Sequence, residues 1–429
     1  MKRLLLLFLS IALAMRVPAA PPTREAVLAA TLLPYTSPSE RGVDTSTLTG
    51  KVMCGYQGWF ACEGDGGEIG NQHWTKHRGP LAPGNAKIDL WPDVSELGAE
   101  ERFSTGFQLA DGKPAEVFSS SKLPTVSRHF QWMREYGIDG AFVQRFIASL
   151  RGASALRHNN VVLANCREGA NRNGRAYAVM YDLSGLGAGR IREVMDDWTA
   201  LRARMHIGDD PAYLRHRGKP LVAVWGFGFN DGRQYTVAEC RELVEFLKND
   251  GCSVMLGVPT GWRALDRDSV RDPALHEVIK LADVVSPWTV GRYRNPAEAA
   301  RHAEKMIVPD LAWCAEQKLD YLPVVFPGFS WWNMYGKEQN GIPRLKGDFL
   351  WSQFVAAKRA GAEMIYVAMF DEVDEGTAIF KCTNDVPPDG ESKFITYEGL
   401  PPDFYLKLTG AGAKMLRGEL PVTEPKPSP

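Results

Sequence analysis

Ile365-Tyr-Val-Ala-Met-Phe-Asp-Glu-Val-Asp-Glu-Gly376 changes character halfway along its length. The first six residues are a short apolar run of the kind that fills a buried strand. Four carboxylates then fall within five positions, Asp371, Glu372, Asp374 and Glu375, with Gly376 behind them. A buried strand that delivers acids at its C-terminal tip is what a barrel or doubly wound enzyme does at its catalytic face. Carboxylates this close cannot all ionise at their ordinary pKa. Repulsion raises at least one of them, which suits it to general-acid work near neutral pH. An acidic loop or the first turn of a helix would also collect negative charge, so the rest of the chain has to decide between the two.

Upstream, apolar runs alternate with stretches of helical period. Strands are predicted over 51–56, 139–146, 176–182, 220–226, 252–258, 283–287, 321–326 and 363–370. Helices are predicted over 126–136, 156–170, 189–205, 237–249, 274–281, 296–317, 347–360 and 403–416. The strands are short, apolar and not alternating, as parallel strands covered on both faces are. About eight strand-then-helix units point to an α/β fold, a (β/α)8 TIM barrel. An open doubly wound sheet is the alternative, but no Gly-rich dinucleotide turn opens any unit. A long irregular insertion follows the first strand, from Gln57 to Leu123, with a hairpin signal centred on Asp111-Gly112. Loops of this length in a compact domain are usually functional.

The boundaries follow from composition. Lys2, Arg3 and the apolar stretch from Leu4 to Met15 read as a secretory signal peptide, residues 1–19, cut near Ala19, with an uncleaved anchor as the alternative. Residues 20–46 form a Pro/Ser/Thr-rich leader that wraps the surface or stays mobile. The barrel spans 47–418, and a Pro-rich tail at 419–429 is expected to be disordered. A secreted or periplasmic location is expected, with no membrane association after cleavage and a monomeric chain. The formal net charge of −1 leaves no basic excess for nucleic acid. Seven cysteines leave at least one unpaired in an exported chain. Cys54 could bridge to Cys62, and Cys240 to Cys252. His73 and His77 stand at i and i+4, but Pro80 and the Gly-rich context speak against a metal-binding helix. No metal and no cofactor are expected.

In a barrel the catalytic face is built from residues just past each strand. Those tips offer Tyr56, Gln57 and Trp59; Gln144 and Arg145; Tyr181 and Asp182; Trp225, with Asp231 beyond it; Trp288 and Arg292; Phe329, Trp331, Trp332 and Asn333; and finally Asp371, Glu372, Asp374 and Glu375. Aromatic side chains supply flat apolar faces for sugar rings, and Asn, Gln, Arg and Asp pair with hydroxyls. No Ser or Cys nucleophile with a His partner and no phosphate-cradling loop is in evidence. The expected ligand is an oligosaccharide or polysaccharide.

Phe370-Asp-Glu-Val-Asp-Glu-Gly376 resembles the Phe-Asn-Glu-Trp-His-Glu-Gly pattern of glycoside hydrolase family 99, which contains endo-α-mannosidases and is related to family 71. Both glutamates and the glycine match, while Asp371, Val373 and Asp374 depart. Pro327-Gly328-Phe329 after the seventh strand is similar to that family's Pro-Gly-aromatic strand end. The resemblance is best from Asp283 to Phe380 and looser at Gly55-Tyr-Gln-Gly-Trp-Phe60. It implies a retaining glycoside hydrolase in which Glu375 is the general acid/base. Glu372 would deprotonate the sugar 2-hydroxyl, which attacks the anomeric carbon in an epoxide-like route. The departures bear on substrate identity more than on reaction class. A non-hydrolytic glycan-binding protein with a decayed site is the alternative, and a lyase or transglycosidase a third reading.

On a straight strand, residues i and i+3 face opposite ways. Glu372 and Glu375 converge only if the chain turns just after Phe370, which Gly376 would ease. Should they not converge, Asp182 or Asp231 becomes the partner acid.

Overall fold

The computed structural model describes residues 22–427, so the expected signal peptide at 1–19 lies outside the described residues. The leader carries a helix, α1 (Arg24–Thr31), capped by the Thr23 hydroxyl, which accepts from the Ala26 N–H at 3.2 Å. The barrel units then follow: β1 (Val52–Tyr56), α2 (Leu123–Tyr136), β2 (Gly140–Phe146), α3 (Ala153–Asn173), β3 (Ala176–Asp182), α4 (Arg192–Ala200), β4 (Lys219–Trp225), α5 (Val237–Asn249), β5 (Ser253–Val258), α6 (Ala274–Ile279) and β6 (Val284–Pro287). Next come α7 (Pro296–His302), α8 (Val308–Glu316), β7 in two pieces (Asp320–Tyr321 and Val324–Val325), α9 (Trp332–Tyr335), α10 (Asp348–Ala360), β8 (Ile365–Val367) and α11 (Phe404–Leu416).

The strands pair in parallel in the order β6-β5-β4-β3-β2-β1-β8. The two ends of that row meet on one strand, because the first piece of β7 pairs with β6 and the second with β8. The predicted eight-unit alternation therefore closes into a TIM-barrel-like sheet. Every residue of β1, β5, β6 and β8 is buried, as parallel strands covered by helices should be. Inside the barrel, Gly55 makes room for its neighbours: a Cβ there would lie 2.1 Å from the Met369 side chain and 2.3 Å from the Tyr366 hydroxyl.

Local chemistry sets the element ends. Thr236 and Glu239 close a capping box at the start of α5. Pro309 interrupts the single helix expected over 296–317. It has no N–H to donate, and the chain passes through a π turn at Ala303–Ile307 before continuing as α8. Pro323 splits the seventh strand for the same reason.

Between β1 and α2 the chain makes the expected hairpin, Arg102–Gln108 against Pro114–Phe118, with Gly112 at φ 82° in the turn. The leader helix buries Val27 and Leu28. Residues 419–427, expected to be disordered, lie along α10, where the Trp351 indole donates to the Thr423 carbonyl at 2.8 Å and Arg359 pairs with Glu424. All seven cysteines are free and buried, so neither the Cys54–Cys62 nor the Cys240–Cys252 bridge exists in this structure.

Candidate active site

After Val367 the eighth strand leaves regular pairing. The Ala368 N–H donates to the Val325 carbonyl and the Phe370 N–H to the Gly55 carbonyl, so the chain is tied to both neighbours as it emerges. It then turns. The Val373 N–H donates to the Asp371 carbonyl, and the N–H groups of Thr377 and Ala378 both reach back to the Glu372 carbonyl. Gly376 sits at φ 66°, a left-handed conformation, and a Cβ there would come within 3.2 Å of the Ser330 backbone. The turn sorts the four carboxylates by threes. Asp371 and Asp374 point into protein, whereas Glu372 and Glu375 both face a cavity of about 900 Å³ at the C-terminal mouth of the barrel.

Glu372 is held on both oxygens. Gln57 Nε2 donates to Oε1, and the Thr377 hydroxyl lies 2.6 Å from Oε2. Burial, followed by repulsion from Glu375 and Asp374, pushes its pKa well above the ordinary glutamate value, with the two hydrogen bonds acting the other way. Glu375 is pushed up to about 7 by burial and then by the charge of Asp374. The Trp331 indole beside it and the Lys87 ammonium offset part of this. The two carboxyl groups repel one another when both are ionised, so the titration of each depends on the other. Both are held toward the protonated form below neutral pH, the state a general acid at a glycosidic bond needs.

The two remaining acids are braces. Asp371 accepts the backbone N–H groups of Gln57 at 2.7 Å and Gly58 at 2.9 Å, fixing the tip of β1 against the acid turn. Asp374 pairs with His73 at 3.1 Å and Lys87 at 3.4 Å. Both partners come from the insertion, and His73 lies flat on Trp59 with ring centroids 3.7 Å apart. Burial favours the neutral His73 imidazole, so His73 serves in packing and hydrogen bonding while Lys87 carries the balancing charge. Among the described residues no group of three His, Cys, Asp or Glu side chains is arranged to hold a metal ion.

Of the other expected binding residues, the cavity gathers Trp59, Gln144, Asp182, Trp225, Trp288, Arg292, Phe329 and Trp331. Five do not reach it. Tyr56 is buried with its hydroxyl 2.8 Å from His129 Nδ1. Arg145 is bound through two nitrogens to Asp197, at 2.8 and 2.6 Å, and Tyr181 donates to the same carboxylate at 2.8 Å. Trp332 lies under the Lys393 ammonium, 4.1 Å from its ring centre. Asn333 Nδ2 donates to the carbonyls of Ile88 and Lys393. Strand parity explains the first three. Successive side chains alternate faces, so where Gln57, Gln144 and Asp182 face the mouth, Tyr56, Arg145 and Tyr181 must face the helices. Trp332 and Asn333 open α9, whose backbone N–H groups at both residues are held by the Asp89 carboxylate at 2.8 Å. Asp371 and Asp374 likewise support the site without lining it.

Sequence reasoning missed several contributors. Phe146, Phe229, Arg294 and Lys337 also line the cavity. Arg344, stacked on Tyr397 and Tyr405, donates to the carbonyls of Gly376 and Ala378 and holds the exit of the acid turn. Strand parity would have found Phe146, two residues beyond Gln144. Lys87, Thr377 and Arg344 carry no such signal, because their partners are remote or depend on the turn.

The charges around the pair make a paired expectation. Asp374→Asn removes a negative charge that raises both glutamates, so the alkaline limb of the pH–rate profile should move toward acid, by roughly half to one pH unit. Lys87→Met removes a positive charge that lowers Glu375, so the same limb should move toward alkali. Profiles of kcat/KM for the two variants check this. Shifts in one direction for both would contradict the assigned electrostatics.

No family model matches the chain, and no curated protein matches it. Solved structures do. The GH99 endo-alpha-mannosidase from Bacteroides thetaiotaomicron is similar at a TM-score of 0.63 and 16% identity, over 87% of this chain and 99% of that one. Its complex with bis-tris-propane gives the same score and identity, over 87% of this chain and 98% of that one. A glycoside hydrolase-like protein is similar at a TM-score of 0.50 and 13% identity, over 91% of this chain and 98% of that one. At such identities the likeness is one of fold, and it extends across most of the chain.

Proposed function

We propose that this protein is an exported glycoside hydrolase that cleaves a glycan or polysaccharide with retention of configuration, using Glu372 and Glu375. The observation that carries this reading is the convergence of two glutamates, Glu372 buried and Glu375 half-buried, three apart in sequence, on one aromatic-walled cavity. The likeness in fold to the GH99 endo-alpha-mannosidase supports it.

In this reading Glu375 gives its proton to the glycosidic oxygen as the C1–O bond breaks. Glu372 takes the proton of the 2-hydroxyl, and O2 closes on C1. Water then opens the 1,2-anhydro ring, with Glu375 receiving the water proton and Glu372 returning its proton to O2. The route needs Glu372 ionised and Glu375 protonated; the donors from Gln57 and Thr377 stabilise the carboxylate of Glu372 against burial and the repulsion of Glu375 and Asp374. Trp225, Trp288, Phe329 and Trp331 supply the faces for sugar rings.

The purified protein is tested against plant, algal and yeast polysaccharides, α-mannans included, for new reducing ends. The anomer of the first product is then read by NMR. Cleavage giving the anomer of the substrate is expected. Inversion would exclude the epoxide-like route, and binding without cleavage across the panel would favour the glycan-binding alternative.

A further inference from the structure

The cavity wall is polarised, and the polarity has a chemical meaning. Neighbouring strands β3, β2, β1 and β8 form one continuous arc. At their tips stand Asp182, Gln144, Gln57 and the glutamate pair. The two glutamines are built alike. Gln57 Nε2 is spent on Glu372, and Gln144 Nε2 on the Tyr366 hydroxyl at 3.2 Å. Their Oε1 atoms, on residues only 9% and 8% exposed, have no partner in the protein. A buried acceptor left unpaired is costly, so two such acceptors on adjacent strands of one cavity point to a ligand that brings two donors. The carboxylate of Asp182 adds a third acceptor; within the protein it receives only the Ser184 N–H, at 2.7 Å, and the Ser184 hydroxyl. The cations of the cavity, Arg292, Arg294 and Lys337, come from the loops after β6 and β7 instead.

We infer that Gln57, Gln144 and Asp182 form a hydroxyl-reading subsite next to the glutamate pair, which takes a neutral sugar ring through its hydroxyl donors and rejects a uronate. This rests on the sugar-cleaving reading above and narrows its substrate class. A ring carboxylate on this arc would meet Asp182 and the glutamates, while the cations behind them, Arg233 and Lys87, are already paired with Asp231 and Asp374, and such juxtaposition is a strong device for exclusion. Gln57 has a second part. Its amide links Glu372 to the ligand, and its own position is set by the hold of Asp371 on the β1 tip.

The test is ligand-observed NMR with methyl pyranosides of mannose, glucose, galactose and xylose in both anomers, against glucuronate and galacturonate. At least one neutral sugar is expected to bind, and the uronates at least tenfold more weakly. Gln144→Met is expected to weaken the neutral sugar about five- to tenfold. A monodeoxy derivative lacking the recognised hydroxyl should lose as much against the native protein but nothing further against Gln144→Met, a coupling that a merely structural role would not produce. Should Gln144→Met fail to fold, Gln57→Met is read in the same way, by binding rather than turnover because it also touches Glu372. Uronates binding as tightly as neutral sugars, or no coupling with any deoxy sugar, would overturn the subsite and leave the hydrolase reading standing. No sugar binding at all would overturn both.

Discussion

Glu375→Gln is expected to lower the rate of glycoside cleavage by roughly a hundred- to ten-thousandfold, the range in which a positioned general acid contributes. Glu372→Gln should fall by a similar factor for a different reason, and leaving-group chemistry separates the two. A substrate whose leaving group departs without protonation, such as a dinitrophenyl glycoside of the sugar identified in the screen, should restore much of the rate of Glu375→Gln in the first step. It should restore none to Glu372→Gln, which lacks the base for the 2-hydroxyl. Rescue of both or of neither would contradict the division of roles. The amide variant also tests the electrostatics. Burial and Asp374 hold the pKa of Glu375 at about 7, above its unfolded value. The folded state therefore binds the extra proton between roughly pH 4.5 and 7, and the stability this gives is fully present below that window and lost as pH rises through it. Glu375→Gln cannot ionise, so it should melt higher than the native protein at pH 8 and close to it at pH 4. A loss of activity accompanied by a lower melting temperature at pH 8 would mean that the substitution damaged the fold instead.

Both glutamates keep their shape because the surroundings are over-determined. Asp371 locks the β1 tip to the turn, Arg344 locks its exit, and Asp89 receives the Ser330 hydroxyl and two backbone N–H groups from α9. The backbone N–H groups of Asp89 and Leu90 in turn reach the Val373 carbonyl inside the acid turn, at 2.9 and 3.1 Å. The insertion is thus part of the floor of the site as well as a candidate wall. A catalytic pair set within a few tenths of an ångström needs such support from rigid neighbours.

The barrel was legible because buried parallel strands leave near-continuous apolar runs and their covering helices leave a period of 3.6. Both signals survive in a single sequence. The acid turn was legible for a related reason: four carboxylates directly after an apolar run have few structural explanations. What failed was the direction of side chains. Tyr56 and Gln57, Gln144 and Arg145, and Tyr181 and Asp182 are three adjacent pairs, and on a strand only one of each pair can face the mouth. The Gly55 position settles the parity of β1, since it faces the interior against Met369 and Tyr366, and register then carries that parity round the sheet. Lys87 and His73 were beyond reach. An irregular segment has no period from which to infer that its cation and imidazole would meet an acid three hundred residues away.

Arg145 offers the sharpest test of that parity, because a substrate contact and a scaffold ion pair fail in opposite ways. Its guanidinium is fully buried and grips both oxygens of Asp197 on α4, with Asn160 of α3 accepting a further bond at 3.1 Å and the Tyr181 hydroxyl sharing the carboxylate. Arg145→Met strands Asp197 as an unpaired buried charge, and breaking a pair of this kind costs about 3–5 kcal/mol. The midpoint of urea unfolding should drop accordingly, while KM for the folded enzyme stays near its native value. Arg145→Met combined with Asp197→Leu removes both charges and should recover most of the loss. The remainder, about 1–3 kcal/mol, is the buried Tyr181 hydroxyl left without its acceptor, and adding Tyr181→Phe should return part of that. A site residue would behave otherwise: Arg145→Met would raise KM tenfold or more with little change in the unfolding midpoint, and Asp197→Leu would do nothing to repair it. That pattern would mean Arg145 turns toward the mouth after all, and the assignment of faces along β2 would have to be reversed.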